Sequence, residues 1–153
     1  MRYIIIFILF NKLIFSITNY ENKKITTMLQ NYCISIKNFP DVLGIHIYEN
    51  KKGKILQLDI EYNGDFNIIT AMEAISKAVQ FSKTHFDKFI VIKHYPTMKS
   101  PIGYESDATC ALNYFIKNKI SERYWKKDCL KEGVLNKKID NWSPLNKNSI
   151  WIH

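Results

Sequence analysis

The stretch LGIHIYENKKGKILQLDIEY, residues 43–62, decides the fold because two alternating runs flank one short polar connector. In each run the apolar residues recur at every second position, which is the period of a strand with one covered face. The connector, residues 50–54, is polar and contains Gly53, as a short hairpin loop requires. The sequence therefore predicts an antiparallel hairpin. Its polar face is expected to meet solvent and carries His46, Tyr48, Gln57, Asp59 and Glu61.

Helical patterns lie on both sides of this hairpin. Within residues 21–37, apolar side chains recur from Ile25 onward with the spacing of one helix face, and Asn19 is the predicted N-cap. A second apolar stripe runs through residues 68–79, with Asp65 or Asn67 as its cap. A third strand is predicted at residues 88–95; its middle is apolar on both faces, which indicates an inner position in the sheet.

The C-terminal third has weaker patterns. Residues 97–104 are expected to form a loop, residues 106–119 a helix with a strand as the alternative, and residues 121–131 a helix. The basic tail, residues 133–153, contains Trp142 and Trp151 and is expected to dock on the domain. The predicted fold is α+β, with helices packed on one face of a small antiparallel or mixed sheet of three to four strands, in the order α-β-β-α-β-α-α.

The N-terminus, MRYIIIFILFNKLIF (residues 1–15), is typical of a secretory leader. Arg2 precedes an apolar run, Lys12 interrupts that run, and small polar residues follow it. We expect residues 1–18 to be a signal peptide or an uncleaved anchor and residues 19–153 to form one domain. An ordinary core segment is the alternative. The leader predicts export to the periplasm or the cell exterior, with membrane contact through this segment alone.

If the chain is exported, two of its three cysteines are expected to be bonded to each other. None belongs to a CxxC pair, so the sequence does not indicate a structural zinc site. Cys110 and Cys129 lie at matching distances from a turn near residues 118–121, and an antiparallel arrangement about that turn would allow a disulfide between them. Cys33 is expected to be a buried thiol on the inner face of the first helix.

The net charge of +8 raises the question of an anionic partner. Apart from Arg2 and Arg123 the basic residues are lysines, whereas base-reading sites favour arginine, so nucleic acid is disfavoured as a partner. The partner is expected to be a protein or an anionic component of the envelope or cell surface. The candidate surface for it is basic and aromatic: Lys117, Lys119, Arg123, Tyr124, Trp125, Lys126 and Lys127.

The sequence indicates a catalytic site less strongly than it indicates this basic and aromatic surface. Cys110 or Cys129 could pair with His46, His85 or His94 as nucleophile and base, and His85, Asp87 and His94 could ligate zinc. Nothing in the linear sequence brings either set together, so we predict no catalytic residue, no metal and no cofactor. The sequence favours an exported, non-enzymatic binding domain. A cytosolic interaction or inhibitor protein is the first alternative, and a small Cys/His or metal-dependent hydrolase is the second.

Overall fold

The computed structural model describes residues 2–62, 64, 66–95, 101–134 and 150–151, with side chains described from residue 19 to residue 133 within those ranges. The elements in chain order are α1 (Arg2–Ser35), β1 (Val42–Asn50), β2 (Gly53–Glu61), α2 (Ile68–Val79), β3 (Lys88–His94), β4 (Ile102–Asp107), α3 (Ala108–Phe115), α4 (Glu122–Tyr124), a π-helical turn (Trp125–Cys129), β5 (Leu130–Val134) and β6 (Ile150–Trp151).

The strands form one mixed sheet in the order β5-β4-β3-β2-β1-β6. β2 and β3 are parallel and are joined through α2, while the other neighbouring strands are antiparallel. The α+β class, the β1–β2 hairpin and the inner position of β3 are thereby confirmed. The sheet is larger than predicted, because the described residues contain five strands of at least five residues as well as the two-residue β6.

The extra strands come from the region with the weakest sequence patterns. Residues 102–104, predicted as a loop, belong to β4, which pairs with β3 from Lys88 opposite Asp107 to Lys93 opposite Ile102. β5 then pairs with β4 at the edge of the sheet. The helix predicted at residues 106–119 is present as α3 but is shorter. In the tail, Trp151 pairs with Gly44 as part of β6. The expectation for Trp142 lies outside the described residues.

Helix α1 is unbroken from Arg2 to Ser35, so Asn19 is not an N-cap. No Gly or Pro occurs within this range, and nothing in the sequence therefore ends the helix at the leader. At 1.5 Å per residue its 34 residues span about 51 Å. Asn38, with φ of 60°, leads the chain out of it. None of the described helices has the length and hydropathy needed to span a membrane.

The main core lies between the helices and one face of the sheet. Ile25, Leu29 and Cys33 of α1 pack there with the three alanines of α2 and with the leucines of β2. Asn67 caps α2 as predicted, because its Oδ1 accepts a hydrogen bond from the backbone N–H of Ile69 at 3.0 Å. Small residues on α2 let the helix approach the sheet closely, so the packing of helices on one face is confirmed.

The other face of the sheet is also buried, contrary to the prediction that it meets solvent. A second apolar cluster lies there, formed by Tyr48, Ile55, Ile90 and Ile92. His46, Gln57 and Asp59 are each at most 2% exposed. The alternation of residues shows which side chains share a face, but it does not show whether that face is covered. Polar side chains on this face are therefore shielded from water and must form hydrogen bonds with one another.

Candidate functional site

The basic segment is carried by a helical hairpin. α3 runs up to residue 115, the chain turns through Asn118 at φ of 51°, and α4 with the π-helical turn runs back. The hairpin is closed by a disulfide between Cys110 and Cys129, whose Cα atoms are 6.2 Å apart. This confirms the predicted pairing, and α3 resolves the helix-or-strand alternative for the first half of this segment.

Side-chain caps fix both helices of the hairpin. Asp107 Oδ1 accepts a hydrogen bond from the backbone N–H of Cys110 at 3.0 Å. Ser121 Oγ accepts one from the backbone N–H of Tyr124 at 3.2 Å. Caps of this kind satisfy donors at a helix start that have no partner within the helix. The two helix starts are therefore set independently of the disulfide.

Trp125 anchors the hairpin in the core and does not belong to the exposed surface predicted for it. Its side chain is fully buried, and Nε1 donates a hydrogen bond to Ser106 Oγ at 2.9 Å. The indole stacks on Tyr114 with a centroid distance of 5.5 Å and meets Phe115 edge-on at 4.9 Å. A large aromatic ring with one polar donor suits a buried site that offers one acceptor.

The other residues of the predicted surface are exposed: Lys117, Lys119, Arg123, Tyr124, Lys126 and Lys127. Part of their charge is compensated, because Lys126 Nζ lies 2.5 Å from Glu122 Oε1. The hydrogen bond from Lys126, together with one from Tyr114, lowers the pKa of Glu122. Residues 116–131 carry six cationic and two acidic side chains, a net charge of +4. We call the six exposed residues the hairpin surface.

The candidate catalytic and metal-binding sets considered from the sequence do not form. Cys110 and Cys129 are bonded to each other, so neither offers a thiolate. Cys33 is a buried thiol, as predicted, and burial raises its pKa to about 12. His85 lies 3.9 Å from Asp87, whereas His94 is at the opposite end of β3, about 23 Å along the strand. In the described part of the chain, no three His, Cys, Asp or Glu side chains are arranged to hold a metal.

A polar chain across β1, β2 and β3 is the feature that sequence reasoning missed. Tyr48 donates a hydrogen bond from its hydroxyl to Gln57 Oε1 at 2.8 Å, and Gln57 Nε2 donates to Asp59 Oδ1 at 2.8 Å. Asp59 Oδ2 lies 3.1 Å from His94 Nε2 and 3.7 Å from His46 Nε2. One buried carboxylate thus holds two imidazoles and an amide.

Electrostatic interactions within this polar chain of side chains keep Asp59 ionised. Burial acts to raise the pKa of Asp59, but its interactions with His46, His94 and Gln57 outweigh burial and lower that pKa. Burial raises the pKa of Tyr48, and the charge of Asp59 adds to the effect. A buried carboxylate that is hydrogen-bonded to its neighbours orients the groups around it. His94, with a side chain 39% exposed, is thereby held at the carboxyl ends of β2 and β3.

Comparisons with known proteins assign no family to this architecture. No family model matches the chain, and neither the curated proteins nor the solved structures include a match to it.

Proposed function

We propose that this protein is an exported, non-enzymatic binding domain that holds an anionic partner on its hairpin surface. The observation that carries the proposal is the Cys110–Cys129 disulfide. Disulfides form and persist in the periplasm and outside the cell and are rare in the cytosol. The apolar run behind Arg2 supports the same compartment, as a signal peptide or an anchor. In the cytosolic alternative the disulfide would lie in a reducing compartment, where disulfides rarely persist.

The hairpin surface suits an anionic partner because it is cationic and because the disulfide and Trp125 hold its backbone in place. The disulfide closes one end of the hairpin, and the buried indole of Trp125 holds its return limb on Ser106. A cationic surface on a fixed backbone loses less conformational entropy on binding than one on a mobile loop. Because the charges are exposed, salt screens the attraction, and affinity is expected to fall steeply with ionic strength.

Two measurements test this proposal. The first is the intact mass of the protein from its native host, alkylated in denaturant with and without prior reduction. One disulfide and one free thiol are expected, and three alkylatable thiols without reduction would refute the assignment to an oxidising compartment.

The second measurement is the binding of full-length protein to dextran sulfate, a soluble anionic polymer, at low and high salt. Lys126→Glu with Lys127→Glu is expected to weaken binding at least tenfold at low salt. The matched control is Lys37→Glu with Lys51→Glu, which changes the net charge equally at exposed positions outside the hairpin. Equal loss in both pairs would show attraction to net charge alone and would refute a defined surface.

A further inference from the structure

A groove lies between α3 and the loop that follows α2, and we call it the α2–α3 groove. Thr109, Leu112 and Ile116 line it from α3, at offsets of three and seven residues that place them on one face of the helix. Phe86, which is 4% exposed, lines its inner part. The groove has a volume of about 340 Å³, and small-molecule sites have roughly 300–1,000 Å³. It is therefore large enough for a small ligand.

The loop that forms the other wall of the groove is held by hydrogen bonds. The backbone N–H of Ser82 donates to the carbonyl of Val79 at 2.9 Å, and Ser82 Oγ accepts from the backbone N–H of Thr84 at 2.9 Å. At the end of the loop, the backbone N–H of Asp87 donates to the carbonyl of Lys54 at 2.8 Å. Because this wall is already ordered, a ligand does not bear the entropic cost of ordering it.

Two lysines border the α2–α3 groove and carry uncompensated charge. Lys83 lines the groove from the loop and Lys117 lines it from the end of α3, and both side chains are exposed. Neither ammonium group forms an ion pair or a hydrogen bond with a described residue. His85 also lines the groove, but it lies 3.9 Å from Asp87. The described lining residues include no Asp or Glu, so the charge and the apolar wall together suit an anion with an apolar tail.

We propose that the α2–α3 groove binds a small amphiphilic carboxylate, with its tail along α3 and its carboxylate at Lys83 and Lys117. The wall from Thr109 to Ile116 spans about 10.5 Å of helix. The tail of octanoate, with seven carbon–carbon bonds of about 1.5 Å, is slightly shorter than this when extended. The tail covers Leu112 and Ile116, which are half-buried without it. This inference goes beyond the proposed function, because binding in the groove requires neither export nor a polymeric partner.

The test is an amide NMR titration of the full-length protein with sodium octanoate. Saturable shifts are expected at residues 82–84 and 109–117. Octylamine, which has a tail of the same length and the opposite charge, is expected to bind about tenfold more weakly because the lysines repel it. Hexanoate, shorter by two methylenes, is expected to bind about fivefold more weakly, since the groove buries each methylene in part. The absence of saturable shifts at these residues, or equal binding of octylamine, would overturn the inference.

Substitutions at the groove test its charge and its shape separately. Lys83→Gln with Lys117→Gln is expected to weaken octanoate binding about fivefold, because it removes both cations. Lys37→Gln with Lys51→Gln makes the same charge change at exposed positions outside the groove and should leave the affinity unchanged. Thr109→Phe adds a ring at an exposed position of the wall and should block binding without lowering the urea midpoint. Equal loss in the two lysine pairs, or full binding by folded Thr109→Phe, would overturn the inference.

These outcomes are distinguishable from failure of the proposed function. The dextran sulfate measurement changes Lys126 and Lys127, which do not line the α2–α3 groove. Octanoate binding in the groove, without any effect of those two substitutions on dextran sulfate, would retain the groove and reject the hairpin surface. Loss of dextran sulfate binding in that variant, without octanoate shifts in the wild type, would retain the hairpin surface and reject the groove.

Discussion

Removal of the disulfide by Cys110→Ala with Cys129→Ala is expected to destabilise the domain by about 3 kcal/mol. The bridge joins residues 19 apart in sequence. For a loop of about 20 residues the chain-entropy relation gives about 11 cal/mol/K, or about 3.3 kcal/mol at 25 °C. The caps at Asp107 and Ser121 remain in the variant, so the native fold is expected to be kept.

Urea unfolding of the full-length protein, followed by fluorescence, measures this loss. With a slope of about 1–3 kcal/mol per molar urea, the midpoint should fall by about 1–3 M. Reductant should shift the wild type similarly and leave the double variant unchanged. Cys33→Ala is the control, because it removes a buried thiol outside the loop and should still respond to reductant. Equal midpoints for wild type and double variant would refute the reasoning.

Two further substitutions and one labelling experiment probe other parts of the domain. Asp59→Asn should cost about 3 kcal/mol at neutral pH because it breaks a buried charged cluster. Since folding lowers the pKa of Asp59, its contribution is complete above the unfolded value near 3.8 and is lost as the pH falls through the folded value. The stabilities of wild type and variant, measured by urea unfolding at several pH values, should therefore converge in acid. Gly53→Ala should destabilise by more than 1 kcal/mol in the same assay, because Gly53 has φ of 97° and a Cβ there would collide with Asp87; an unchanged midpoint would contradict this. Cys33 should resist iodoacetamide until urea unfolds the protein, and mass spectrometry that finds it alkylated in the native state would contradict its burial.

Local sequence patterns correctly predicted the helices and strands whose structure is determined mainly by their own residues. The β1–β2 hairpin followed from alternation and a Gly-containing connector, and α2 followed from its apolar stripe and the cap at Asn67. β4 was missed because residues 102–107, IGYESD, have little apolar alternation. Their extended structure depends on pairing with β3, which is a nonlocal interaction.

The polar chain around Asp59 was missed for a related reason. Its members occupy three strands, and only the parallel register of β2 with β3, which sets Glu61 opposite His94, brings His94 beside Asp59. The sequence contains those polar residues but not the strand order. Trp125 was assigned to the surface because its neighbours are charged, whereas burial of one aromatic side chain depends on the acceptor that Ser106 provides.

The position of the disulfide links the bonding of two cysteines to the register of one strand. Cys129 directly precedes Leu130, the first residue of β5, and Leu130 lies opposite Ser106 of β4, four residues before Cys110. A slide of β5 by two residues moves it about 7 Å, which takes the cysteines out of bonding range. The Cys110–Cys129 bridge is therefore compatible only with the observed register of β5 on β4.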